Sequence, residues 1–422
     1  MISTILRAFT VPEIRKKLLF TAALLALYRL GSHIPAPGIN SAAVENLQKE
    51  FQASNILGFL NLFSGGGLQR IALFALGIMP YITASIILQL LTVVMPSLEK
   101  LSKEGEVGQA KITQYTRYLT VGLALAQSVG YVFLFRSLGG PGNEIIRGFS
   151  FGTVSLIVIS LTAGTVLLMW MGELITQRGI GNGISLMIFA SIVAGLPNGI
   201  QAWWTSPDQV FKVMMPFLAL AVIAAVVFIQ EGQRRIPVQY AKRVIGKRMS
   251  GGGQTYLPLR VNMAGVIPVI FAASLMAFPP TIGQLINAPW AQDVADFFAP
   301  SGWAYLLGET ILIVLFTYFY TAITFNPVDQ AENLKKYGGF IPGVRPGRPT
   351  AEFLDRILAR LTFPGALYLA AVAALPTILI NQTAANFYFG GTSLLIVVGV
   401  ALDTMKQLEA QLMMRNYEGF LK

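Results

Sequence analysis

The chain has 422 residues, 54% of them hydrophobic and only 12% charged, and its mean hydropathy is +0.61. Soluble chains carry roughly twice that share of charge, so composition excludes an ordinary water-soluble domain. With no cysteine and one histidine, His33, the chain also excludes disulfides, thiolate metal sites and any mechanism needing two imidazoles. The formal net charge of +11 has to be read by its distribution before nucleic acid is invoked.

A membrane crossing needs about 20 apolar residues for a ~30 Å hydrocarbon core. Runs of that kind predict helices near 18–34, 71–95, 114–136, 151–172, 181–197, 213–230, 262–282, 303–325, 361–380 and 391–410. Arg15-Lys16-Lys17 before the first run resembles the start of a signal peptide. Tyr28-Arg29-Leu30-Gly31 is not a small-residue cleavage site, however, so that run reads as a retained first helix. Residues 56–67 are apolar but too short to cross, and the span at 181–197 is short and glycine-rich.

With the N-terminus on the cytoplasmic side, 25 of the 31 Lys and Arg residues fall on that side, and both chain ends lie there. Five spans precede the connection at 198–212 and five follow it. An odd count starts the second half on the opposite side, which predicts an inverted repeat if the halves share a fold. Leu196-Pro197-Asn198-Gly199 is the expected hinge between halves, or else an ordinary turn.

The ionisable residues Arg29, Glu173, Glu231, Glu309 and Asp403 all fall near predicted span ends. A mid-membrane charge costs roughly 2.5–3.5 kcal/mol, and proton relays carry that cost openly, so a proton-coupled carrier is weakened. No G-x-x-x-x-G-K-[ST] phosphate loop is present, so nucleotide energy would come from a partner. His33, near a helix end, reads as an interfacial histidine without a catalytic role. The chain is not expected to be an enzyme or to hold a cofactor.

The most informative stretch runs from Leu73 to Leu90. Ile78, Ile82, Ser85 and Gln89 are spaced 4, 3 and 4 and share one helix face, while Pro80 would kink or unwind the helix near its start. Periodicity alone favours ordinary helix packing over a lining face. This stretch closely resembles the first signature of the SecY family, the central subunit of the protein translocation channel. Trp170-Met171-Gly172-Glu173-Leu174-Ile175-Thr176-Gln177-Arg178-Gly179-Ile180-Gly181-Asn182-Gly183-Ile184-Ser185-Leu186 is similar to the second signature. Asn262–Pro268, Gly343–Gly347 and Phe389–Val398 look like the same family, in order, over residues 12–420.

The resemblance implies an all-α polytopic fold of about ten helices, in two inverted five-helix halves (1–205 and 206–422) closing like a clamshell around a pore. It implies a constriction of Ile78, Ile82, Ile184, Ile188, Ile270 and Ile396. A narrow aliphatic collar resists wetting by ions yet fits any extended polypeptide. It also implies a plug over 56–67, comprising Ile56, Leu57, Phe59, Leu60, Leu62, Phe63, Ser64, Gly65, Gly66 and Gly67. The three glycines read as a flexible joint. A lateral gate is implied between the helices at 71–95 and 262–282, with Thr83, Gln89 and Asn262 as its polar members. The basic loops 231–260 and 326–360 hold Arg234, Arg235, Lys242, Arg243, Lys247, Arg248, Arg345 and Arg348, together with Lys335 and Lys336. These residues resemble docking sites for the SecA ATPase and for ribosomal RNA. Their charges also serve topology and anionic lipid contact. SecE and SecG subunits, secretory preproteins and signal sequences are the further partners implied. The alternative from another class is an inverted-repeat secondary transporter of a small solute.

Overall fold

The computed structural model describes residues 8–40, 43–44, 61, 64–138, 145–205, 209–240, 243–245, 248–250, 254–280, 288–299, 302–383 and 391–418. Helix α1 (Pro12–Gly31) starts on a proline, whose missing N–H costs nothing in a first turn. Residues 64–78 form turns, so the second predicted span is helical only from α2 (Met79–Val94). A bend of 100° separates α2 from α3 (Pro96–Lys103). Its cause is local: Pro96 drives Met95 into the extended region, at φ −98° and ψ 113°, and stops the helix.

Helices α4 (Glu106–Leu138), α5 (Phe151–Arg178), α6 (Gly183–Thr205) and α7 (Gln209–Glu231) follow. Here one expectation is corrected. Leu196-Pro197-Asn198-Gly199 is not a connection between halves, because α6 runs through it to Thr205. Pro197 forfeits one backbone bond, but the apolar run on both sides still has to satisfy its own backbone, and the helix continues.

A second correction concerns residues 231–260, expected as a loop. Strand β1 (Gln233–Tyr240) pairs antiparallel with β4 (Gln254–Arg260), in the register Gln233↔Arg260 to Gln239↔Gln254. Between them lies the short pair β2 (Arg243–Ile245) and β3 (Arg248–Ser250). Helices α8 (Ile267–Met276), α9 (Pro289–Phe297), α10 (Trp303–Thr324) and α11 (Pro327–Lys336) come next. Strand β5 (Gly339–Phe340) then adds to the free edge of β1, so both basic loops share one sheet of order β4-β1-β5. Its inner face, with Ile236, Val238 and Leu259, packs on Phe325, Ile341, Leu354, Ile357 and Leu358. Helix α12 (Arg348–Thr383) begins thirteen residues before the predicted span, and α13 (Gly391–Glu418) closes the described chain. Arg348 is therefore a helix residue, not a loop residue. Its Nε donates to Glu352 Oε1 at 3.1 Å, one turn on.

Among the described residues, ten helices (α1, α2, α4–α8, α10, α12 and α13) fall on the ten predicted runs. Of the helices in the described residues, six are long and apolar enough to cross a membrane unaided, or seven if α2 and α3 count as one broken span. At about 1.5 Å per residue, α4 and α12 are longer than a hydrocarbon core is thick. The architecture is all-α with a small sheet cap. Helix α4 packs on α2 and α5, and α5 packs on α6. Further along the chain, α10 packs on α8 and α12, and α13 packs on α7 and α12. The two groups meet along two seams, α2 against α8 and α6 against α13.

Candidate functional site

The four seam helices carry the six isoleucines. Ile78 is the N-cap residue of α2, and its carbonyl accepts the Ile82 N–H at 3.1 Å, which sets the two side chains one turn apart. On α6 the start is fixed by Asn182, whose Oδ1 accepts the N–H groups of Ile184 and Ser185 at 3.1 and 3.3 Å. Ile184 and Ile188 follow one turn apart. Gly183 lets α6 begin hard against α5, since a Cβ there would overlap the Gly172 carbonyl oxygen. Ile270 comes from α8 and Ile396 from α13. Ile78, Ile82, Ile188, Ile270 and Ile396 are buried in a single cluster, and Ile184 packs against it partly buried.

The polar residues expected at the α2–α8 seam do not bond each other. Gln89 Nε2 donates to Ser85 Oγ at 3.1 Å, Thr83 Oγ1 to Met79 O at 3.0 Å, and Asn262 Nδ2 to Gly265 O at 2.9 Å. Gln89 Oε1 and Asn262 Oδ1 are buried without a partner. A polar contact that does cross the seam runs from Ser274 Oγ on α8 to Met79 Sδ, at 3.7 Å.

Of the expected plug, Ile56, Leu57, Phe59, Leu60, Leu62 and Phe63 lie outside the described residues. Ser64, Gly65, Gly66 and Gly67 form a turn. Ser64 Oγ donates to Asn61 O and accepts the Leu68 N–H, both at 3.0 Å. Gly65 and Gly66 have φ of +63° and +84°, a region that favours glycine. Arg29 Nη1 donates to Gly65 O at 2.7 Å. Beside it, burial and the charge of Arg29 push the Arg70 guanidinium below its usual range. Segments 32–40, 64–78 and 145–150 are stitched into one mouth by Ala36 N–H to Ile71 O, Leu73 N–H to Ile34 O and Asn40 N–H to Ile145 O. His33 is exposed at this mouth, its Nδ1 2.8 Å from Arg29 O.

The sheet stands at the opposite ends of the seam helices. Arg234 and Arg235 on β1 are exposed, as is Arg345, whose carbonyl accepts the Thr350 hydroxyl at 2.8 Å. Arg243 and Arg248 lie on β2 and β3, while Lys242 and Lys247 fall outside the described residues. Three features of the charged residues are not evident in sequence. Arg117 holds Glu173 at two points, Nε to Oε1 at 3.0 Å and Nη2 to Oε2 at 2.6 Å. Lys406 Nζ lies 2.9 Å from Glu231 Oε1. Glu309, six residues into α10, is only 3% exposed. The sheet itself has a sequence signal, because Ile236, Val238, Leu257 and Leu259 alternate with period two.

The SecY family model matches residues 72–405. Proteins named protein translocase subunit SecY from Streptomyces scabiei, Streptomyces griseus and Mycobacterium tuberculosis H37Rv are 50%, 51% and 50% identical to this chain. In each case all of both chains is covered. Among solved structures, one described as a protein conducting channel superposes with a TM-score of 0.63 at 20% identity, covering 93% of this chain and 91% of that one. Sec61 in a canine ribosome-channel complex superposes at 0.60 and 19% identity, over 93% and 91%. A buried isoleucine cluster on two seams, a glycine turn at one mouth and a full-length match at half identity lead to one conclusion: this multi-pass membrane protein belongs to the SecY family.

Proposed function

We propose that the chain is the channel-forming subunit of a Sec translocase, passing unfolded secretory polypeptides across a bacterial plasma membrane and releasing transmembrane segments sideways into lipid. The observation that carries this reading is the isoleucine cluster shared by α2, α6, α8 and α13. It stands where two groups of helices meet and resembles a collar that closes when the groups press together. Water in so narrow an apolar waist is unstable, so ions are held back at rest. Aliphatic contacts do not distinguish side chains, so an extended chain of any sequence can replace the isoleucine–isoleucine contacts. Lateral release belongs to the α2–α8 seam, where Gln89 Oε1 and Asn262 Oδ1 keep unused bonding capacity for an entering signal sequence.

The positive-inside distribution supports cytoplasmic N- and C-termini, with the sheet on that face. Arg234, Arg235, Arg243, Arg248 and Arg345, with Lys242 and Lys247, would there meet the acidic surface of the SecA motor or ribosomal RNA phosphates. Arg348 is tied to Glu352 and is the weakest member of that set. SecE and SecG would complete the complex, and anionic lipids would contact the same basic face. The role is non-enzymatic, with energy supplied by the partner. The small-solute carrier gains no support from the family assignment.

The test is electrical. Ile82→Ser combined with Ile188→Ser should raise ion leak through the purified complex in planar bilayers. Wild-type conductance in that variant would argue against the collar. Because the chain has no cysteine, a single Ile82→Cys variant should also cross-link to a stalled preprotein.

A further inference from the structure

We infer that Arg29 is a positioning residue that latches the Ser64–Gly67 turn at the mouth of the resting channel. The inference rests on the channel reading above and deepens it. Arg29 is the third residue from the end of α1, and its guanidinium reaches across to donate to Gly65 O at 2.7 Å. The turn it holds fits one place only. A Cβ on Gly65 would stand 2.6 Å from the Tyr28 hydroxyl, and one on Gly66 would stand 3.1 Å from Arg70 Nη1. Tyr28, the neighbour of Arg29, shares a buried hydrogen bond with Ser191 on α6, less than one turn beyond the collar residue Ile188. One end of α1 therefore joins the turn to the collar helix through two adjacent residues.

A second guanidinium stands beside the latch. Arg70 Nη1 is buried without a hydrogen-bond partner, and burial, with the charge of Arg29 beside it, pushes Arg70 below its usual range. A carbonyl accepting from a cation is a stronger anchor than a neutral bond. Arg29 holds the turn by one bond, so a displacement of α1 that breaks it would release the turn from α1 without breaking the turn's own bonds.

The experiment uses the complete translocase complex, reconstituted in planar bilayers, with Arg29→Gln and Arg29→Lys beside the double collar variant. Resting leak should rise by about tenfold in Arg29→Gln, the factor expected from losing one charge-assisted bond. It should rise less in Arg29→Lys, which keeps the charge but has a different reach. In hydrogen-exchange mass spectrometry, a peptide spanning Ser64–Ala72 should exchange faster in Arg29→Gln while peptides from α2 and α5 do not. A tight Arg29→Gln channel, with the collar variant leaking, would overturn the latch and leave the channel reading standing. So would a rise in exchange across the whole protein, because that marks a general structural role. If the collar variant is as tight as wild type, the channel reading itself fails.

Discussion

At Glu173, a carboxylate that is 12% exposed is held at two points by one guanidinium, and that geometry decides what each substitution does. Arg117→Ala leaves the carboxylate without its partner in a poorly solvated place. The expected loss is about 1–3 kcal/mol, read as a lower melting temperature in detergent. Arg117→Lys restores the charge but cannot grip two oxygens in one plane, so it should recover only a fraction of that loss. The sequence displays both residues and gives no sign of the pairing, because 56 positions separate them and only packing of α4 on α5 brings them together. The six isoleucines proposed as the collar are accessible through motif resemblance, since each sits within or beside a long signature. Arg29 is not. Its partner is a main-chain oxygen, and no side-chain pattern records which carbonyl a turn will expose.

Helices are the most legible elements, because length and apolarity are written directly in the chain and all ten runs become helices. Their ends are less so. Helix α6 overruns the expected hinge, since Pro197 lies in an apolar stretch whose backbone has no better partner than itself. The sheet reads as loop because the charge of 231–260 masks the alternation of Ile236 and Val238 against Leu257 and Leu259. One element contact depends on the absence of a side chain. Gly183→Ala would drive a methyl group into the Gly172 carbonyl and push α5 away from α6 at the base of the collar. The expected cost is about 1–3 kcal/mol, checked by thermal unfolding of the purified complex. Conductance should rise as well, because Ile184 and Ile188 ride on the displaced helix.

Across the whole molecule, two groups of helices touch at two seams, and a channel that opens sideways has to separate along at least a single seam. The α2–α8 seam is the one with unsatisfied polar atoms and the sulfur contact between Met79 and Ser274. Met79→Cys with Ser274→Cys, bridged by a short thiol-reactive cross-linker, should block signal-dependent opening. A cleavable linker should restore transport when cut, as measured by preprotein uptake into vesicles. Normal uptake with the bridge intact would place the exit elsewhere. Arg345→Glu, at an exposed position braced by Thr350, should abolish motor-driven uptake while the variant itself still inserts into membranes.

The three-stranded sheet has a mechanical consequence. β1 continues directly from α7, β4 leads within seven residues to α8, and β5 leads within eight to α12. Anything that leans on this plate pulls three rods at their near ends, and one of them, α8, is half of a seam. On the partner reading proposed above, a bound motor or ribosome would not need to reach into the waist to influence it. Tilting the plate is a lever stroke, and the stiffness of the β1–β4 ladder sets how much of that stroke arrives.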